Sequence, residues 1–165
     1  PNDWGYPIRG IVKDGFLYLR NFEPVRWPAG NPETGYLNCD GSPTKTECLE
    51  AKESPGTIRF WRLGFGKRPA EELYRISSDP DCMENLAGEE KYADVKARLE
   101  EQMMSELKQQ GDPRVFGNGE VFDNYPYAQP SQRNFYEKFM RGDNLRAGWI
   151  NQSDIDKDLP EELRQ

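Results

Sequence analysis

Histidine is absent from this 165-residue chain. The commonest general base and a frequent zinc ligand are therefore missing. A hydrolase built from these residues alone would need a carboxylate pair or a cysteine thiolate. Cysteine is scarce: Cys39, Cys48 and Cys82 form no C-x-x-C pair, and without histidine they do not read as a structural zinc site. No apolar run reaches the length of a membrane-spanning helix. Basic charge is in deficit, with 22 Lys and Arg against 29 Asp and Glu and a net charge of −7. That balance argues against non-specific nucleic-acid binding and against attraction to anionic membranes. The carboxylate pairs Glu71-Glu72 and Glu100-Glu101 are adjacent in sequence and point apart, so a glycosidase-type acid pair is not indicated. No internal repeat is evident.

What is present fits one domain by length. Apolar residues make up 35% and charged residues 31%, so the core is under-supplied for a chain of this size. Two explanations compete: long irregular tails, or half of a larger body whose exposed face meets another domain. The 13 prolines and 15 glycines support the first.

The chain opens with a predicted β-hairpin over residues 6 to 22. Ile8 to Lys13 and Phe16 to Phe22 flank Asp14-Gly15, a strong two-residue turn signal. The arms are apolar nearly throughout, which places at least one of them centrally in a sheet. Residues 23 to 56 read mostly as loop, interrupted by Pro24, Pro28, Pro32, Pro43 and Pro55. A short helix is predicted over Thr46 to Glu53, with Thr44 as its cap. Residues 71 to 76 read as a strand, and Asp79 caps the turn opened by Pro80. The best helix is predicted over residues 89 to 110. Tyr92, Val95, Leu99, Met103 and Leu107 recur on one face, and Gly111 with Asp112-Pro113 stops it. Beyond it the pattern weakens. Val121-Phe122 reads as a short strand, Asn134 to Arg141 as a short helix with Phe135, Tyr136 and Phe139 on its face, and Asp143 to Gln165 as a surface tail or a partner-wrapping arm.

The segment from Glu72 to Ala87, ELYRISSDPDCMENLA, carries the strongest signal. Following Tyr6-Pro7-Ile8-Arg9 and the Asp-Gly hairpin, it resembles the C-terminal subdomain of the formylglycine-dependent sulfatases, most closely the heparan N-sulfatase (sulfamidase) branch. The resemblance spans roughly residues 4 to 128. It implies an α+β fold: an antiparallel sheet of about four strands packed against one long helix, with long irregular loops. Residues 1 to 128 would form the subdomain and 129 to 165 an extended tail or arm. It further implies that this chain partners an N-terminal catalytic domain acting on a sulfated glycan, in an exported enzyme. Calcium and formylglycine are expected in that other domain, and no cofactor in this one. The C-x-P-x-R pattern that yields formylglycine is not met at Cys39, where Pro43 stands four residues on rather than two. The different-class alternative is a stand-alone carbohydrate-binding or protein-interaction module.

Four residues are the candidates for substrate binding. Arg9 enters the small sheet beside the cleft in the resembled family, where its guanidinium would pair a sulfate or carboxylate; the competing role is a structural ion pair. Asn38, Asp40 and Lys45 belong to the polar loop NCDGSPTK. That loop reads either as a ligand loop or as a surface turn in which Asp40 and Ser42 bond their own backbone. Cys39 and Cys48 could bridge across it in an exported protein. The basic-aromatic run from Arg59 to Arg68 lines either a polyanion path or an interdomain face.

Overall fold

A computed structural model describes residues 7 to 145 and 148 to 164; Tyr6 of the hairpin start and Gln165 lie outside the described residues. The chain divides into two compact units. One, the sheet unit, takes residues 7 to 24 and 69 to 124. The other, the loop unit, takes Val25–Arg68 and residues 125 to 164.

The sheet unit is built on strands β1 (Ile8–Lys13), β2 (Phe16–Asn21) and β3 (Glu71–Tyr74), all antiparallel in the order β1-β2-β3. The turn residues Asp14 and Gly15 both have positive φ, 51° and 76°, as a two-residue hairpin of this twist requires. β2 is the central strand, and its partners include Ile11↔Tyr18 on one side and Tyr18↔Leu73 on the other. Three strands form among the described residues where about four were expected. Val121-Phe122 is not a fourth: it lies in a 3-10 turn over Gly119–Phe122. Two apolar residues are too few to set a period, and the Asn118 carbonyl captures the Val121 amide locally.

Helix α3 (Ala93–Gln110) follows a 3-10 turn over Glu90–Tyr92 and packs on the sheet. Leu99 and Met103 are buried with Tyr18 and Leu73, and Tyr92, Val95 and Leu107 pack around them, so the predicted face is the buried face. Each fully buried Leu of this kind contributes about 1.5–3 kcal/mol. The fold is α+β, as the sequence indicates.

The loop unit holds three helices, α1 (Pro43–Glu50), α2 (Ile58–Gly64) and α4 (Phe135–Arg141), and several 3-10 turns. α1 starts earlier than expected. Ser42, not Thr44, is its cap: its hydroxyl accepts the Lys45 amide at 3.1 Å, and Pro43 takes the first helical position. The core joins Tyr36, Leu49, Trp61 and Phe65 to Leu159 and Leu163 from the end of the chain. Residues beyond Asp143 therefore supply buried side chains to this unit rather than a surface tail alone. Phe60 and Leu63, on the same helix as Trp61, are exposed.

Candidate functional site

The ELY…DP…NLA motif proves to be the frame of the sheet unit. Asp79 accepts the amides of Met83 and Glu84, each at 2.9 Å, and so closes the turn after β3. Asn85 then returns along β3. Its Oδ1 accepts the Leu73 amide at 2.9 Å and the Ala87 amide at 3.0 Å, and its Nδ2 donates to the Glu71 carbonyl at 3.2 Å. The Leu86 amide donates to the Leu73 carbonyl at 2.8 Å. The Asn85 side chain and the Leu86 amide thus satisfy the edge of β3, which no further strand covers among the described residues. Glu71 binds Tyr18 at 2.9 Å and Lys96 of α3 at 3.0 Å. Burial pushes the Glu71 carboxyl upward, but the bonds from Lys96 and Tyr18 outweigh it and hold it below its ordinary value. Burial and the bond to Glu71 push the Tyr18 hydroxyl up.

Arg9 lies on β1 in this unit. Its Nε donates to Asp112 at 2.6 Å, and its guanidinium stands 5.3 Å from the centre of the Phe122 ring. Arg114 approaches the same ring at 5.1 Å. Asp112 also caps the following turn by accepting the Arg114 amide at 2.9 Å. Burial opposes ionisation of Asp112, yet the Arg9 bond and the Arg114 amide hold its carboxyl below the usual range. Arg9 is thus positioned by a carboxylate of its own unit.

The other three candidates stand together in the loop unit. Asn38 and Asp40 are exposed. Lys45 turns inward instead. Its Nζ donates to the carbonyls of Gly35 at 2.7 Å, Cys39 at 2.8 Å and Tyr36 at 3.5 Å, and pairs with Asp154 at 3.3 Å. The pair is sealed, with side-chain exposures of 1% and 0%. Asp154 also accepts the Thr46 hydroxyl at 3.0 Å and forms a capping box with Asn151. On the opposite strand of the loop, the Gly41 amide donates to the Trp149 carbonyl. A Cβ at Gly41 would stand 2.9 Å from that oxygen and 3.1 Å from the Asn151 nitrogen, so only glycine permits the approach. Trp149 itself is 82% exposed and adopts a φ of 68°. The loop 35 to 45 is therefore clamped twice to residues 149 to 154; the loop exposes Asn38 and Asp40, and the clamping segment exposes Trp149.

Sequence reasoning missed Asp154 and Trp149. Only the Asn151-to-Asp154 spacing offered a cue, as a cap with an acid three residues on. Cys39, Cys48 and Cys82 are free thiols, and Cys39 and Cys48 pack against the same core. Beneath the loop, burial and then the charges of Asp156 and Glu33 push the Tyr36 hydroxyl up. No helix among the described residues is long and apolar enough to cross a membrane.

No family model matches the chain. An ulvan-active sulfatase of Formosa agariphila is similar to it, with 29% identity over 107 residues. That stretch covers 65% of this chain and 18% of the relative, so the chain spans a small part of the curated relative's length.

Proposed function

We propose that this chain is the small, substrate-shaping region of a longer sulfatase that hydrolyses sulfate esters or sulfamates of sugars. The observation that carries this reading is the likeness to a sulfatase over 107 residues, 65% of the chain, so that the chain contains a sulfatase-related region. The narrower affinity to the heparan N-sulfatase branch rests on the order of its motifs alone. In this reading the formylglycine nucleophile and calcium belong to an N-terminal catalytic domain. Cys39 does not suit the nucleophile role, because Pro43 stands four residues on and opens α1. Formylglycine and calcium would supply attack on sulfur there; this chain's residues would bind and orient the sugar.

Within that division of labour, Arg9, Asn38, Asp40 and Lys45 take different parts. Arg9, oriented by Asp112, offers a guanidinium for an anionic substituent. Asn38 and Asp40 offer hydroxyl-binding groups, and Lys45 holds their loop from behind. Residues 129 to 165 act as an arm whose last turns brace that loop. The enzyme is exported. Its partners are the catalytic domain and a sulfated glycan, with no nucleic acid and no membrane span in this chain.

The test is sulfate release. The purified chain should release no sulfate from an aryl sulfate or from ulvan oligosaccharides. The longer protein encoded with it should carry a C-x-P-x-R pattern and should release sulfate from both. Hydrolysis by the pure chain, lost on Cys39→Ala, would overturn the reading. The alternative of a stand-alone carbohydrate-binding or protein-interaction module is favoured by one observation: Trp61 and Phe65, which an interdomain face would expose, are buried in the loop unit's own core.

A further inference from the structure

Trp149 combines two features that burial and packing do not explain. Among the described residues it is the most exposed of the large hydrophobic side chains, and it occupies a left-handed backbone conformation. A bulky side chain at positive φ is an outlier, and folding gains nothing from an indole left in water. Strain of this kind persists only where the surroundings over-determine it, and it concentrates at ligand sites. The surroundings here do over-determine it. The Trp149 carbonyl is held by the Gly41 amide, the adjoining Asn151 is fixed in its capping box, and the Lys45–Asp154 pair locks both segments from below.

We propose that Trp149 is the stacking platform of a sugar-binding subsite that takes an unsulfated pyranose unit. This rests on the glycan reading above and deepens it. The flat apolar face of a pyranose matches an exposed indole, whose large rigid area loses little conformational entropy on binding. Its hydroxyls need short polar partners, and the loop joined to Trp149 through Gly41 exposes Asn38 and Asp40. An apolar protein partner would call for further apolar side chains on that loop, which these positions do not supply. The carboxylate of Asp40 selects against a sulfate group at this position, because like charges repel. The subsite therefore reads a neighbouring sugar and leaves the sulfate to cationic groups elsewhere.

The experiment is calorimetric and fluorescence titration of the full chain with ulvan oligosaccharides, native and chemically desulfated. Both preparations should bind, with desulfation changing affinity by less than about three-fold. Trp149→Ala should weaken binding by about 30-fold, the loss expected of a central aromatic anchor. Trp149→Gly is the decisive second variant. Glycine relieves the positive φ, so thermal stability should hold or rise while binding is lost. Unchanged binding in either variant overturns the proposal. So does failure of the wild-type chain to bind either preparation, or binding that disappears with the sulfate. Binding is read on this chain and sulfate release on the longer protein, so the subsite and the sulfatase reading fail separately.

Discussion

The two units solve the same problem with different means. The sheet unit buries a regular surface: three strands, one 18-residue helix, and an Asn side chain closing the free edge. Its ion pairs lie mostly toward the rim, as with Arg9–Asp112 at side-chain exposures of 18% and 14%, although the buried Arg114 reaches the half-exposed Glu23 at 3.7 Å. The loop unit has little regular surface to bury. It places a full ion pair at its centre and buries the polar ends of Glu33, Tyr36 and Trp61. The difference teaches where each unit is vulnerable. The sheet unit depends on apolar volume, and the loop unit depends on a few polar atoms that hold distant segments together.

The largest expected effect therefore falls in the loop unit. Lys45→Met leaves Asp154 charged, buried and unpaired, and should destabilise by about 3–5 kcal/mol. Hydrogen exchange should show the loss in the amides of α1 and residues 149 to 156, with the amides of α3 still protected. Lys45→Met combined with Asp154→Leu should recover much of the loss, since an apolar pair of similar volume avoids desolvating charge. A loss spread evenly over both units would break the contrast.

The matching perturbation in the sheet unit is Leu99→Ala, expected to cost about 2–5 kcal/mol by removing a fully buried side chain. Glu100→Ala on the same helix should cost far less, because Glu100 is half exposed and its ion pair with Arg20 is a loose 3.7 Å. Equal losses in the two variants would mean that the packed face of α3 is misassigned.

How much was legible follows the same division. The hairpin, β3, the α3 face and its glycine stop announce themselves through local signals: a turn dipeptide, alternation, and 3.6-residue recurrence. These place the elements of the sheet unit to within a few residues, with β3 ending at Tyr74 rather than at 76 and α3 starting at Ala93 rather than at 89. The missed fourth strand came from reading Val121-Phe122 by propensity where local turn bonds prevail. The loop unit is illegible for a physical reason. Its organising contacts join Lys45 to Asp154 and Gly41 to Trp149, more than a hundred residues apart, and no periodicity encodes them. Of the candidate site, the loop with Asn38 and Asp40 stood out because its composition is unusual. That Lys45 points inward, and that Trp149 exists as a partner of this loop, depended on tertiary placement. Arg9 stood out in the sequence, whereas its partner Asp112 was read only as part of a helix stop.

A rim ion pair gives a pH-dependent counterpart to the sealed one. Asp112→Ala removes the acceptor of Arg9 and of the Arg114 amide, and should cost about 1–3 kcal/mol at neutral pH. The Asp112 carboxyl is held below its ordinary value in the folded chain, with burial opposing and Arg9 and the Arg114 amide prevailing. Its contribution is full above the unfolded carboxylate value of about 3.9 and is lost as pH falls through the lower folded value. Denaturant titrations should therefore show the wild-type and Asp112→Ala curves converging below about pH 4. A gap that stays constant into acid would mean that Asp112 acts by packing rather than by charge.

The smallest effect tests the start of α1, where sequence and structure assign different caps. Ser42 has an extended backbone, with φ −158° and ψ 158°, and its hydroxyl accepts the Lys45 amide. Thr44 lies inside the helix and is exposed. Ser42→Ala should cost about 1 kcal/mol, the usual price of a lost cap, and Thr44→Ala close to nothing. The consequence reaches beyond the helix. The Ser42 bond fixes the backbone of Lys45, whose side chain then spans to Gly35, Cys39 and Asp154. If the loop unit does depend on a few polar anchors, Ser42→Ala should speed amide exchange at Gly35, Cys39 and Gly41 as well as in the first turn of α1. Fraying confined to that first turn would show that the buried pair holds its loop without help from the cap.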